Sequence, residues 1–151
     1  MRILMISPVC PWPPNSGDKI RIFQSIKYLG KSSELHLLCP AEEADQPTIP
    51  TEIEKACRTI TQVKTRGRTR VRTLVNYLMS ADPWRVVKFH SDEMKNAFQN
   101  ISSVLRSTGR LDLIYVHFMN SLSYLAGNAP AEREIVVVDE HNSDERYSQS
   151  F

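Results

Sequence analysis

The sequence predicts an α/β fold: a Rossmann-like, doubly wound parallel sheet in three layers, with the strand order 3-2-1-4-5. Short aliphatic segments of strand length alternate along the chain with longer segments whose apolar residues recur at helical spacing. Segments 2–6 and 134–138 are almost entirely aliphatic, as is typical of strands covered on both faces. Strands that alternate with helices are joined by right-handed crossovers, and such crossovers produce a parallel sheet.

The first half of the chain begins with the strand at 2–6 and a helix at 18–29. Asn15 or Ser16 is the expected N-cap of this helix, and Gly30 is its expected C-terminal stop. The elements that follow are a strand at 34–39, a short helix at 52–56 and a strand at 58–63.

The second half begins with two amphipathic helices, at 68–80 and 91–107, which Asp82-Pro83 separates. Each carries one apolar stripe that we expect to face the sheet. The remaining elements are a strand at 111–116, a short helix at 120–126, the strand at 134–138 and the start of another helix in roughly the last dozen residues.

The composition is that of a globular protein of one domain, residues 1–151. Of these residues 24% are charged and 41% hydrophobic, and no apolar run approaches the roughly 20 residues that cross a bilayer. No signal peptide precedes the first strand, so we expect a cytoplasmic protein. Cys10, Cys39 and Cys57 lack C-x-x-C spacing, and we expect reduced thiols that pack in the core.

Polar residues follow three predicted strands that meet at one edge of the sheet. They are the proline-rich loop 7–17 after the first strand, His117 after the fourth, and the run 139–142, Asp-Glu-His-Asn, after the fifth. Strands one and four are neighbours at the switch point of a 3-2-1-4-5 sheet, where ligands bind beyond the carboxyl ends of strands. We therefore expect these segments to line one crevice.

The loop and the histidines each allow a functional and a structural interpretation. Free amides at the helix start beyond Gly17 suit a phosphate or another anionic oxygen, with Lys19 and Arg21 assisting. Both the G-x-G-x-x-G and Walker patterns are missing, so Gly17 is alternatively a turn glycine only. His117 and His141 either contact a ligand together or are structural.

An acidic cluster follows the last strand and raises the question of a metal. Carboxylates at this place often cap the next helix, and no cysteine or second close histidine completes a ligand set. We therefore predict no metal and no other cofactor. The cluster consists of Asp139, Glu140, His141, Asp144 and Glu145.

A basic run stands out against the small net charge of +2. It is a solvated surface, a contact with an anionic membrane or a patch for nucleic acid, and the balanced charge of the remaining chain disfavours nucleic acid. The run leads into the predicted helix at 68–80 and consists of Lys64, Arg66, Arg68, Arg70 and Arg72.

Three motifs together resemble the N-terminal domain of GT-B glycosyltransferases, in the large retaining group called family 4 or group 1. The opening RILMISPVCPWPPNSGDKIRIFQSIKYL is similar to that family's strand, P-x-P-P-x-x-G loop and arginine-bearing helix. DLIYVHF resembles its strand-four segment with a terminal histidine, and VVVDEHN its strand-five segment. The motifs cover most of the domain in order, although each is short.

The resemblance implies sugar transfer from a nucleotide-sugar to an acceptor hydroxyl, with retention at the anomeric carbon and without a metal. It implies that His141 is the catalytic histidine near the reacting sugar, and that Gly17, Arg21, His117 and Asn142 bind substrate. The family commonly has His-Asp at the end of strand five, whereas here two acids precede His141, so the register differs by a residue or two.

The same resemblance implies a second Rossmann-like domain that holds the donor nucleotide and is missing from this sequence, so the chain alone should be inactive. Members that use lipid-linked acceptors attach to membranes through basic surfaces of this half, which favours the membrane interpretation of the basic run and a peripheral location on the inner face. The alternative is a stand-alone, flavodoxin-like module that binds a nucleotide or a partner without catalysis. A scaffold without a ligand is the third interpretation.

Overall fold

The computed structural model describes residues 1–41, 48–65 and 91–140 of the chain. Five strands alternate with helices through these residues. In chain order the elements are β1 (Arg2–Ile6), α1 (Gly17–Leu29), β2 (Glu34–Pro40), α2 (Thr51–Ala56), β3 (Thr59–Val63), α3 (Asp92–Thr108), β4 (Leu113–His117), the 3₁₀ helix η1 (Met119–Leu125) and β5 (Ile135–Asp139).

The strands form one sheet in the order β3-β2-β1-β4-β5, and every pair is parallel. The predicted α/β class and strand order are confirmed. This order matches five of the six strands of the Rossmann arrangement 3-2-1-4-5-6, and it differs from the flavodoxin-like order 2-1-3-4-5. The switch point lies between β1 and β4, where Ile3 pairs with Leu113 and Ile6 with Val116.

Two apolar cores cover the faces of the sheet, because alternate strand residues point to opposite sides. Ile3 and Met5 of β1 pack with Ile22 and Ile26 of α1 in the first core. Leu4 and Ile6 belong to the second core. On that face the sheet packs against α3 and η1, which contribute Met94, Phe98, Leu105 and Tyr124.

Strand β5 departs from the prediction that both faces of each strand are covered. Ile135 is 63% exposed and Val137 37% exposed, and both lie on the α1 side of the sheet. Strand β5 is an edge strand of the sheet, and neither Ile135 nor Val137 belongs to the core that α1 forms with the central strands. The aliphatic run at 135–138 is therefore covered on one face only, where Val136 and Val138 are partly buried.

Element boundaries differ from the predicted ones by one or two residues. His117 is the last residue of β4 rather than the residue after it, and the predicted short helix at 120–126 is a 3₁₀ helix. Ser91 caps α3, since its hydroxyl accepts a hydrogen bond from the Met94 amide at 3.2 Å. The predicted helix at 68–80, the break at 82–83 and the final helix start all lie outside the described residues.

Gly30 ends α1 as predicted, but its backbone conformation is not what requires a glycine at this position. Its φ is −65°, which any residue adopts, so no left-handed turn requires glycine here. A Cβ atom at this position would collide with the backbone oxygen of Ala56 at the end of α2. The glycine is needed because two helix ends approach each other closely.

Within the three described ranges, no helix is long and apolar enough to cross a membrane.

Candidate functional site

The carboxyl ends of β1, β4 and β5 lie at one edge of the sheet, and polar side chains gather there. His117 is the last residue of β4, and Asp139 is the last residue of β5. The two are register partners on neighbouring strands. Helix α1 starts at Gly17, directly after the loop that leaves β1, and brings Arg21 to the same edge.

Asp139 is the centre of this cluster. Its Oδ1 accepts a hydrogen bond from Arg21 Nη2 at 2.7 Å, and its Oδ2 accepts one from the Tyr115 hydroxyl at 3.1 Å. His117 Nδ1 lies 3.6 Å from the same Oδ2. One carboxylate thus connects α1, β4 and β5.

The strand period explains why these side chains meet. Tyr115 and His117 are two residues apart in β4 and therefore point to one face, the face covered by α1. Register pairing places Asp139 beside His117 on that same face. The Tyr115 and His117 rings also pack edge to face, with centroids 5.1 Å apart.

Burial differs sharply across the cluster. The His117 side chain is fully buried, the Asp139 side chain is 12% exposed, and the Arg21 side chain is 53% exposed. Burial and the neighbouring Asp139 carboxylate raise the pKa of Tyr115, so its phenol remains a neutral hydrogen-bond donor at physiological pH. The cluster therefore runs from a buried imidazole to a half-exposed guanidinium at the surface.

The backbone after β4 is fixed to the end of β5. Phe118 has a φ of 65°, in the left-handed region that non-glycine residues seldom adopt. Its amide donates to the Asp139 carbonyl at 3.0 Å, and the Met119 amide donates to Glu140 Oε2 at 2.8 Å. These two bonds hold the tips of β4 and β5 together.

The loop between β1 and α1 combines a buried aromatic with an open glycine. Trp12 is 1% exposed and packs in the core beside α1, and its peptide bond to Pro13 is cis. Within the described part of the chain, Trp12 Nε1 makes no hydrogen bond. Nothing lies within 4 Å of a Cβ placed on Gly17, so the fold does not require glycine there.

The residues predicted for the site have different outcomes. The structure brings Arg21 and His117 to one carboxylate, and it places Gly17 one helical turn before Arg21 at the same edge. His141 and Asn142 lie outside the described residues. Sequence reasoning counted Asp139 only among the crevice-lining acids and did not select Tyr115.

Arg21 differs from the cation that was expected to assist an anion. Its charge is paired with Asp139, and Asp18 lies in the first turn of the same helix. Both carboxylates oppose a phosphate at this helix start. The observed charges suit a neutral polar group, such as a hydroxyl, better than an anion.

The basic run and the acidic cluster are described only in part. Lys64 is exposed at the end of β3, whereas Arg66, Arg68, Arg70 and Arg72 lie outside the described residues. Among the residues that the structure describes, no three His, Cys, Asp or Glu side chains are grouped to hold a metal ion.

None of the three cysteines forms a disulfide. Cys10 and Cys39 are buried, and Cys57 is partly buried. Burial raises the pKa of Cys57 to about 12, and the pKa of Cys39 is raised by its contact with Cys10 and by burial. Since the thiolate is the reactive form, these cysteines are packing residues, as predicted.

Comparison with known proteins yields no family model that matches this chain and no curated protein that matches it. The chemistry of the site therefore rests on its own residues. An imidazole beside a carboxylate can accept or donate a proton, and a half-exposed guanidinium can donate hydrogen bonds to oxygen atoms of a ligand.

Proposed function

We propose that this chain is the acceptor-side, N-terminal domain of a retaining GT-B glycosyltransferase. The enzyme would transfer a sugar from a nucleotide-sugar to an acceptor hydroxyl in glycan or polysaccharide synthesis. The observation that carries the proposal is the Asp139-centred cluster, in which Arg21 and His117, two residues that the family resemblance assigns to substrate, meet at the carboxyl edge of the sheet. The Rossmann strand order supports it as well.

The charges of the cluster suit an acceptor. Arg21 and Asp139 neutralise each other, and Tyr115 is a neutral donor, so the edge offers hydrogen bonds without a strong net field. Sugar hydroxyls both donate and accept such bonds. In this proposal the donor nucleotide binds a second domain in a longer chain, and His141 and Asn142 complete the site.

The test of the proposal uses the natural reading frame extended beyond Phe151. Purified extended protein is incubated with a panel of nucleotide-sugars and carbohydrate acceptors, and released nucleoside diphosphate is measured. We expect transfer, and we expect His117→Ala and His117→Gln to lower turnover at least about tenfold while the protein stays folded. Unchanged rates in both variants would remove His117 from the site.

His36→Gln is the matched control for the His117 variants. His36 is also a buried sheet histidine, but it bonds Thr59 at 2.8 Å and Glu34 at 3.3 Å, away from the cluster. We expect this control to lower stability and to leave the turnover of the folded enzyme near the wild-type value.

A stand-alone binding module is the competing outcome. If the reading frame ends at Phe151 and the isolated chain binds a nucleoside diphosphate tightly in calorimetry, that alternative replaces the enzyme. The glycosyltransferase proposal expects the nucleotide to bind only when the second domain is present.

We also propose that the enzyme is cytoplasmic and that the basic run 64–72 binds anionic lipid at the inner membrane face. Each basic residue near such a surface contributes about 1 kcal/mol. Co-sedimentation with vesicles should therefore require anionic lipid and should weaken when the four arginines of the run become glutamine. Equal binding to neutral vesicles would discard the membrane contact.

A further inference from the structure

Three side chains from two other elements face the Asp139 carboxylate. Arg21 comes from α1, and Tyr115 and His117 come from β4. The carboxylate is only 12% exposed, so these partners replace much of its hydration. An arrangement of this kind fixes the partners as well as the acid.

The Arg21 side chain is fixed by one hydrogen bond, and much of the rest of it is exposed to solvent. Within the described residues its guanidinium makes a single hydrogen bond, to Asp139 Oδ1. A guanidinium carries several N–H donors in a rigid plane, so one bond orients the others. With 53% of its side chain exposed, Arg21 can present the remaining donors to a ligand.

The His117 ring faces the same carboxylate through Nδ1. A carboxylate beside Nδ1 favours the ring form that carries a proton on that nitrogen, because an N–H group is attracted to it and a lone pair is repelled. The ring is fully buried and packs against Tyr115, so its orientation is fixed by packing too.

We propose that Asp139 is a positioning residue: it keeps a proton on Nδ1 of His117 and holds the Arg21 guanidinium at the mouth of the site. Only the ligand of that site, an acceptor hydroxyl, rests on the proposed glycosyltransferase function. The placement of the proton and of the guanidinium rests on the contacts of the described residues alone.

The experiment is an NMR measurement on the nitrogen-15-labelled 151-residue protein, without any ligand. Long-range proton–nitrogen spectra report which ring nitrogen of His117 carries the proton. We expect a proton on Nδ1 in the wild-type protein and, in Asp139→Asn, a shift of the neutral ring toward the Nε2–H form. A wild-type ring protonated on Nε2 alone would overturn the proposal, and so would an unchanged ring in Asp139→Asn.

Two controls separate positioning from a general structural role. Tyr115→Phe removes the hydrogen bond from the Tyr115 hydroxyl to Asp139 Oδ2 but leaves the charge of Asp139, so the proton should stay on Nδ1 of His117. Loss of the proton from Nδ1 in this variant would overturn the role of Asp139. The His36 ring, whose Nδ1 lies 2.8 Å from Thr59 Oγ1, should keep its signals in both variants. If Asp139→Asn fails to fold, the protonated ring nitrogen of His117 in the wild-type protein and in Tyr115→Phe still tests the proposal.

The second readout is kinetic and uses the extended protein. Asp139→Asn should reduce turnover at least about tenfold, because the ring would no longer be held in the tautomer that carries the proton on Nδ1. No transfer by the wild-type extended protein would refute the proposed function and leave the NMR result standing. Wild-type turnover in Asp139→Asn would overturn the positioning role.

Discussion

The amino ends and the carboxyl ends of the strands form two opposite edges of the sheet, the amino edge and the carboxyl edge. Each carries an arginine–carboxylate pair, and the pairs differ in how many hydrogen bonds the arginine makes. At the amino edge, Arg106 near the end of α3 bonds both oxygens of Glu134, each at 2.7 Å. It also donates to Asn128 Oδ1 at 2.6 Å and to the Ala129 carbonyl at 3.4 Å. At the carboxyl edge, Arg21 makes one bond to Asp139 within the described residues.

Exposure follows the same division. The Glu134 side chain is 4% exposed and that of Arg106 24%, whereas Arg21 is 53% exposed. The bidentate pair closes the loop before β5, and four of the five N–H donors of Arg106 are bonded within the protein. A singly bonded arginine over a buried carboxylate keeps donors available. We therefore expect the amino edge to stabilise the fold and propose that the carboxyl edge binds the ligand.

The largest effect that we expect comes from breaking the amino-edge pair. Arg106→Met keeps the aliphatic stem but leaves Glu134 buried without its cation, which should cost about 3 kcal/mol of the free energy of unfolding. Urea denaturation followed by circular dichroism measures this loss. A change below about 1 kcal/mol would mean that the amino edge does not stabilise the fold as described.

The second effect compares one glycine from each edge. Gly30→Ala places a methyl group against the Ala56 backbone and should cost about 2 kcal/mol, whereas Gly17→Ala meets open space and should change stability by less than about 0.5 kcal/mol. Thermal unfolding of the two variants checks this contrast. Equal losses would contradict the assignment of different roles to the two edges.

The third effect is a pH dependence located at the amino edge. Arg106 holds the pKa of Glu134 below its ordinary value of 4.5, so the pair contributes stability above that pH. This contribution is lost as the pH falls through the lowered pKa of the folded protein. Between about pH 6 and about pH 3, Arg106→Met should therefore lose less stability than the wild type in urea titrations. His36, whose pKa is lowered by burial, adds to the acid loss in both proteins.

Of the two arginine substitutions, Arg21→Met should have the smaller effect on stability. The pair with Asp139 is half open to water on the arginine side, and such pairs contribute about 1 kcal/mol or less. Urea denaturation measures the difference. If Arg21→Met lost as much free energy of unfolding as Arg106→Met, the two pairs would contribute equally to stability.

The fold could be predicted from the sequence because its signals are local. The aliphatic runs at 2–6 and 111–116 and the apolar stripe of 91–107 each fix an element, and the alternation of elements fixes the sheet class. The prediction that both faces of β5 are buried was wrong, because the burial of an edge strand depends on where a helix that is distant in sequence packs. Nothing in the run Ile-Val-Val-Val records that.

The site could be predicted only in outline. The carboxyl edge followed from the strand order, but the central role of Asp139 depends on pairing His117 with Asp139, and a shift of one residue would turn that carboxylate to the other face. The sequence offered one usable signal: Tyr115 and His117 are two residues apart in one strand, the spacing that puts side chains on the same face. The single bond of Arg21 could not be seen without coordinates.

The most direct test of the division between the edges is sugar transfer by the extended protein that carries Arg21→Met or Arg106→Met, measured as released nucleoside diphosphate well below the unfolding temperature of both variants. We predict that Arg21→Met loses at least about tenfold in turnover although it is nearly as stable as the wild type, and that Arg106→Met keeps wild-type turnover although it is less stable. Full turnover in Arg21→Met together with a loss in Arg106→Met would contradict a binding role for the carboxyl edge.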